Sequence, residues 1–144
     1  MREAFGGTFM IELLLIFLAI YIAFIAVALN YAKAFRVKNH IIDMIEQKEG
    51  IDSYSDNNGI IGEINTYLSQ FGYFVTIPNK SEDNIHCYSN GYCIEEFAGT
   101  SSIEGISAKY YKVTTYMRVE FPFFDLNISI PIQGETRMIQ IVGG

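Results

Sequence analysis

The 144-residue chain has no tryptophan, two histidines, two cysteines and three prolines. Each scarcity excludes a class of chemistry. His40 and His86 stand in neither a nucleophile–base nor a metal-ligand spacing. Cys87 and Cys93 have no second pair to complete a zinc site, and no glycine-rich phosphate loop is present. Basic residues are also short, ten against sixteen acidic ones, and from Val37 to the end seven against fourteen. A phosphate backbone needs a clustered positive surface, so nucleic acid is not an expected partner. Asp52, Asp56 and Glu63 fall at ligand positions of a twelve-residue calcium loop. Tyr54 and Asn57 replace a ligand and the required glycine there, so a solvated loop is expected. Neither catalysis, a metal nor a cofactor is expected.

Two further absences are more informative. No proline or glycine interrupts Thr8 to Glu49, and no charge interrupts Leu13 to Leu29. The 22 residues from Thr8 to Leu29 suffice to cross the hydrocarbon core of a bilayer. That run is longer than a cleaved secretory h-region, and the chain after it continues as a helix, which predicts a membrane anchor. Tyr31, Phe35, Ile41, Ile42 and Ile45 recur at three- and four-residue spacing, so residues 31–49 read as an amphipathic continuation stopped at Gly50. Glu12 is the anomaly. A carboxylate in such a span costs roughly 2.5–3.5 kcal/mol at the membrane centre and less near the edge, so something should offset it.

Residues 50–144 read as a small α+β head. Asp52–Gly59 is turn-rich. Ile60, Ile61, Ile64, Tyr67, Leu68 and Phe71 mark a second amphipathic helix ended by Gly72. Tyr73–Ile77 reads as a strand stopped by Pro78. Tyr111, Val113, Thr115, Met117, Val119 and Phe121 alternate with polar residues, then Leu126, Ile128, Ile130 and Ile132 do so after a corner. Pro131 places that strand at an edge or turns its nitrogen from a neighbour. Gly134 is expected at a bulge or turn before a last strand, Thr136–Val142. Asn79-Lys80-Ser81 and Asn127-Ile128-Ser129 match the glycosylation triplet, a weak signal.

Cys87 and Cys93 flank YSNGY. A three-residue loop, Ser89-Asn90-Gly91, with Gly91 in the left-handed region, sets the cysteines directly across a hairpin, within reach of a disulfide. A disulfide belongs to an oxidising compartment, which places the head outside the cytoplasm and the N-terminus inside. The charge count runs the other way: Lys33, Arg36 and Lys38 follow the span while Arg2 precedes it, and a positive-inside reading keeps the head and two free thiols in the cytosol. Snorkelling of those three side chains to the outer headgroups reconciles them with the disulfide.

Gly7-Thr8-Phe9-Met10-Ile11-Glu12-Leu13 followed by a long apolar helix resembles the class III signal of type IV pilin-like proteins. The strand-rich ending, with IPIQGETRMI, is similar to TadE-like minor pilins of Tad-type pili. The resemblance implies a short leader at 1–7, cut by a prepilin peptidase between Gly7 and Thr8, and a membrane half-helix at 8–30 that packs with other pilin-like subunits. It implies that Glu12 meets the new terminal amine of a neighbour's Thr8, a partly buried ion pair where a lone carboxylate would be costly. The expected protein is a structural subunit, minor pilin or pseudopilin, with the Cys87–Cys93 hairpin as an exposed contact. The alternative is a single-pass anchored extracytoplasmic binding module that joins no filament.

Overall fold

The computed structural model describes residues 2–77, 82–100, 103–121 and 124–142. Its first element, α1, runs from Arg2 to Gln47 without interruption. The helix therefore takes in Gly6 and Gly7 and begins before the uncharged run. It ends where Glu49 adopts a left-handed φ of 56°, with the Gly50 amide donating to the Ile45 carbonyl at 3.1 Å. Gly50 follows with φ +129°, also a backbone conformation that favours glycine, so the helix stops where Gly50 is expected to stop it.

The second helix, α2 (Gly59–Phe71), stops at Gly72, whose left-handed backbone lets its own amide donate to the Ser69 carbonyl and the Tyr73 amide to the Leu68 carbonyl. Five strands follow: β1 (Ile85–Tyr88), β2 (Tyr92–Gly99), β3 (Ile106–Phe121), β4 (Phe124–Glu135) and β5 (Ile139–Val142). They form one antiparallel sheet in the order β1-β2-β3-β4, with β5 also on β3. The long β3 permits this: β5 pairs with residues 106–109, and β4 with 112–121. The chain is an α+β fold with a long N-terminal apolar helix.

The core is a sandwich of α1, α2 and one face of the sheet. Tyr111, Val113, Thr115, Met117 and Val119 are all buried, as their alternation requires. From α1 they meet Ala34, Val37, Ile41 and Ile45; from α2, Ile60, Ile61, Ile64 and Leu68. The stripe on α1 is rotated from the expected one. Tyr31 and Phe35 stay exposed and stack on each other, with centroids 6.2 Å apart. Ala34 takes the inward place because its small side chain admits the sheet: the Thr115 hydroxyl donates to the Ala34 carbonyl at 3.2 Å. Lys38 is 8% exposed, its stem buried and its ammonium 4.2 Å from the Phe35 ring centroid.

Tyr73–Ile77 is not a strand. Tyr73 and Val75 are buried and Phe74 is exposed, so the alternation is there, but a single backbone hydrogen bond, Val75 N–H to the Asn90 carbonyl at 3.4 Å, ties it to the hairpin. The Tyr73 hydroxyl takes the place of a missing ladder. Beyond Thr115, where β2 no longer pairs with β3, it accepts from the Tyr116 amide at 3.1 Å and donates to the Tyr116 carbonyl. Gly134 also differs from expectation. It stays inside β4 opposite Val113, and a Cβ there would lie 2.9 Å from Ile42 Cδ1, so it marks the close pass of α1 rather than a bulge. Residues 136–138 leave the ladder, and the last strand starts at Ile139. The Asn79 triplet, and the side chains of Phe121, Leu126 and Asn127, lie outside the described residues.

Candidate functional site

Two features of α1 stand apart from the fold's own needs. The first is its N-terminal half, where Phe9, Ile11, Leu14, Phe17, Ile20, Tyr21 and Phe24 are each more than half exposed. It is long and apolar enough to cross a membrane. Burying such side chains is worth ~1.5–3 kcal/mol each, so this surface calls for a cover that the described residues do not supply. The structure thus carries one N-terminal helix suited to single-pass anchoring.

The second is the group at its start. Glu12 is exposed, and among the described residues no cation pairs with it. Its neighbours are Phe5, Thr8, Phe9, Leu15 and Ile16. At 3.6 residues per turn, Glu12, Ala19, Ala23, Val27 and Ala34 fall on one side of α1, with Glu12 roughly 33 Å from Ala34. The Thr8 hydroxyl donates to the Ala4 carbonyl at 2.8 Å. Thr8 and Glu12, one turn apart, therefore share a face, but in this chain the Thr8 nitrogen is a helical amide carrying no charge. Gly6 and Gly7 have ordinary φ and nothing within 4 Å of a built Cβ. Nothing in the fold uses them, although each glycine costs about 1 kcal/mol against alanine in a helix.

The hairpin is part of the core rather than a free contact. A disulfide joins Cys87 to Cys93, which face each other in register, and the loop is Ser89-Asn90-Gly91. Gly91 has φ +98°, and a Cβ there would fall 2.6 Å from the Val75 carbonyl oxygen. The turn is wedged against residues 73–75 for that reason. Asn90 donates to Asn65 Oδ1 on α2 at 3.2 Å, and the Tyr92 hydroxyl donates to the same oxygen at 2.8 Å. Only Ser89 of the loop is fully exposed, so the expected exposed contact is replaced by a docked one.

Sequence reasoning missed one polar cluster, because strand register together with the docking of the loop before α2 assembles it. The Tyr54 hydroxyl donates to Glu96 Oε2 at 2.5 Å, and Lys109 Nζ lies 2.8 Å from Glu96 Oε1. The Tyr54 ring stacks on His86 at 3.9 Å. Burial opposes ionisation of Glu96, but the bonds from Lys109 and Tyr54 prevail and hold its carboxyl below the usual range. Burial and the Glu96 acceptor push the Tyr54 hydroxyl up. A protonated donor on an ionised acceptor is a clamp, fastening residues 51–58 to β2. Glu63, the last residue of the calcium-like loop, pairs with Lys48 at 3.2 Å. Among the described residues no three potential ligands converge on a metal position.

The chain was compared with protein-family models, with curated proteins and with solved structures, and none of the three gave a match.

Proposed function

We propose that this chain is a structural subunit of a type IV pilus-like or Tad-like assembly, a minor pilin or pseudopilin, built around its N-terminal helix. The observation that carries the reading is Glu12: a carboxylate at the edge of an apolar face, with no cation among the described residues to meet it. Cleavage of the Gly7–Thr8 bond would free an amine one helical turn from Glu12. Within one chain that amine and that carboxylate would share a helix face; between staggered copies they would form the intersubunit pair. The otherwise unused Gly6 and Gly7 support a processing site, since they leave the space around the Gly7–Thr8 bond open to a peptidase. The head is extracytoplasmic, because its disulfide needs an oxidising compartment.

In this reading the protein performs no chemistry. The apolar half-helix supplies packing area, Glu12 sets the axial register, and the head faces outward. The test replaces Glu12 with Ala and with Gln in the native host. Both variants should insert in the membrane at the normal level and fail to enter filaments, because neither can meet the incoming amine with charge. Full incorporation of both variants would reject Glu12 as the charge that sets register, and absence of the unaltered protein from filaments would reject the assembly role and favour the anchored binding module.

A further inference from the structure

Among the described residues outside α1, six large apolar side chains are exposed: Phe71, Phe74, Ile103, Ile128, Ile130 and Met138. Their positions along the helix are unequal. Strand β3 runs antiparallel to α1. Gly134, opposite Val113, packs on Lys38 and Ile42, and Thr115 bonds to Ala34. As β3 advances it therefore descends toward the apolar span. Ile130 pairs with Met117 and Ile128 with Val119, so Ile128 lies four strand residues past the Thr115 level. At about 3.3 Å per residue that is roughly 13 Å lower, abreast of the last turns of the uncharged run. Val27, inside that run, packs against the head's core, which fixes the same level independently.

Phe71 and Phe74 reach this end from the other side. Lys33, four residues beyond Leu29, donates to the Gly72 carbonyl at 2.9 Å and sits 5.5 Å from the Phe71 ring centroid. Phe74 is 63% exposed although Tyr73 and Val75 on either side are buried. Tyr31 and Phe35 occupy the same level on α1, with Lys33 and Arg36 beside them. Exposed aromatics with flanking cations at the end of an apolar span are the composition of a membrane–water interface. The two remaining side chains lie at the far end: Ile103 bonds to the start of β3, and Met138 Cε lies 3.4 Å from a Cβ built on Gly99.

We infer that the proximal end of the head, with Phe71, Phe74, Ile128 and Ile130 at its centre, rests in the interfacial layer of the bilayer, its partner being a lipid surface. The inference relies on α1 spanning the membrane and does not require filament assembly. The head then stands in one fixed orientation on the membrane, its β3–β4 end down and its Ile103–Met138 end up.

The experiment uses the full chain in phosphatidylcholine–phosphatidylglycerol vesicles at low protein density, with the Cys87–Cys93 disulfide kept closed. An environment-sensitive fluorophore is attached at Ile130→Cys, Phe74→Cys, Phe24→Cys or Met138→Cys, and a quencher is carried on lipid near the headgroup. Labels at 130, 74 and 24 should lose emission, and the label at 138 should not. Ile128→Cys reads the same strand if the 130 label disturbs folding. Quenching at 24 but not at 74 and 130 would overturn the footprint alone. Loss of quenching at 24 as well would overturn the span. Shielding at 130 that appears only as protein density rises would assign the surface to a second copy and reject the lipid.

Discussion

Ile16 and Ile41 are the same side chain on the same helix, one 56% exposed and the other fully buried. Local helix preference treats them alike. What separates them is the sheet: β3 and β4 cover α1 from Val27 to Ile45, and among the described residues nothing covers it below. The half under the sheet carries interspersed charges, because only one stripe there is hidden. From Thr8 to Leu29 the half without cover carries no charge but Glu12, as apolar surroundings on every side require. One helix thus records two solvents.

The largest effect that should separate the halves comes from truncation. Ile41→Ala removes a fully buried side chain and should lower the unfolding free energy of the head by about 2–5 kcal/mol, measured in detergent by tyrosine near-ultraviolet circular dichroism. Ile16→Ala should leave the same transition within about 0.5 kcal/mol. Equal effects would mean that the bare half is also part of the head's cooperative unit.

Replacing both Cys87 and Cys93 with Ser should cost the head about 2 kcal/mol, because the loop they close is short. The helical signal of the span should not change, so the far-ultraviolet spectrum should hold while the near-ultraviolet transition moves.

High pH should act on the head in the same selective way. Burial pushes Tyr73 and Tyr88 up to about 12, and raises Tyr54 and Tyr92 as well. The folded head therefore holds protons that the unfolded chain releases from about pH 10. That stabilisation is complete below about pH 10 and is lost as pH rises toward the folded values. The head's melting midpoint should fall between pH 10 and 12, with the share of tyrosinate absorbance due to these four residues appearing together with unfolding rather than before it.

Gly134→Ala should be the mildest change. The built Cβ meets the flexible ends of Ile42 and Lys38 rather than backbone, so the cost should stay below about 1.5 kcal/mol by equilibrium unfolding.

Much of this architecture could be read from residue order, where one local force dominates. The span follows from a run without charge. The end of α2 follows from Gly72, and the cysteine register from a three-residue loop with glycine at its left-handed position. The strand face of β3 follows from strict alternation. What could not be read depends on which neighbour arrives. Tyr31–Phe35 and Ala34–Val37–Ile41 are both helical stripes, and only contact with Thr115 decides between them. Tyr73–Ile77 has strand alternation but no partner edge to pair with, since the Tyr73 hydroxyl occupies it. Gly134 looks like a turn residue until α1 is seen crossing it. The Tyr54–Glu96–Lys109 clamp joins residues linked only by register and by the docking of the loop before α2. At the candidate site, the position of Glu12 in an apolar run was legible, whereas the irrelevance of Gly6 and Gly7 to packing required the structure.

The N-terminal residue of the protein, taken from its native host's membranes and from sheared surface material, tests the assembly account most directly. Processing at the Gly7–Thr8 bond predicts a chain that begins at Thr8 in both fractions, with Glu12 fifth. A chain that retains Met1 through Gly7 and occurs only in the membrane fraction would contradict the account.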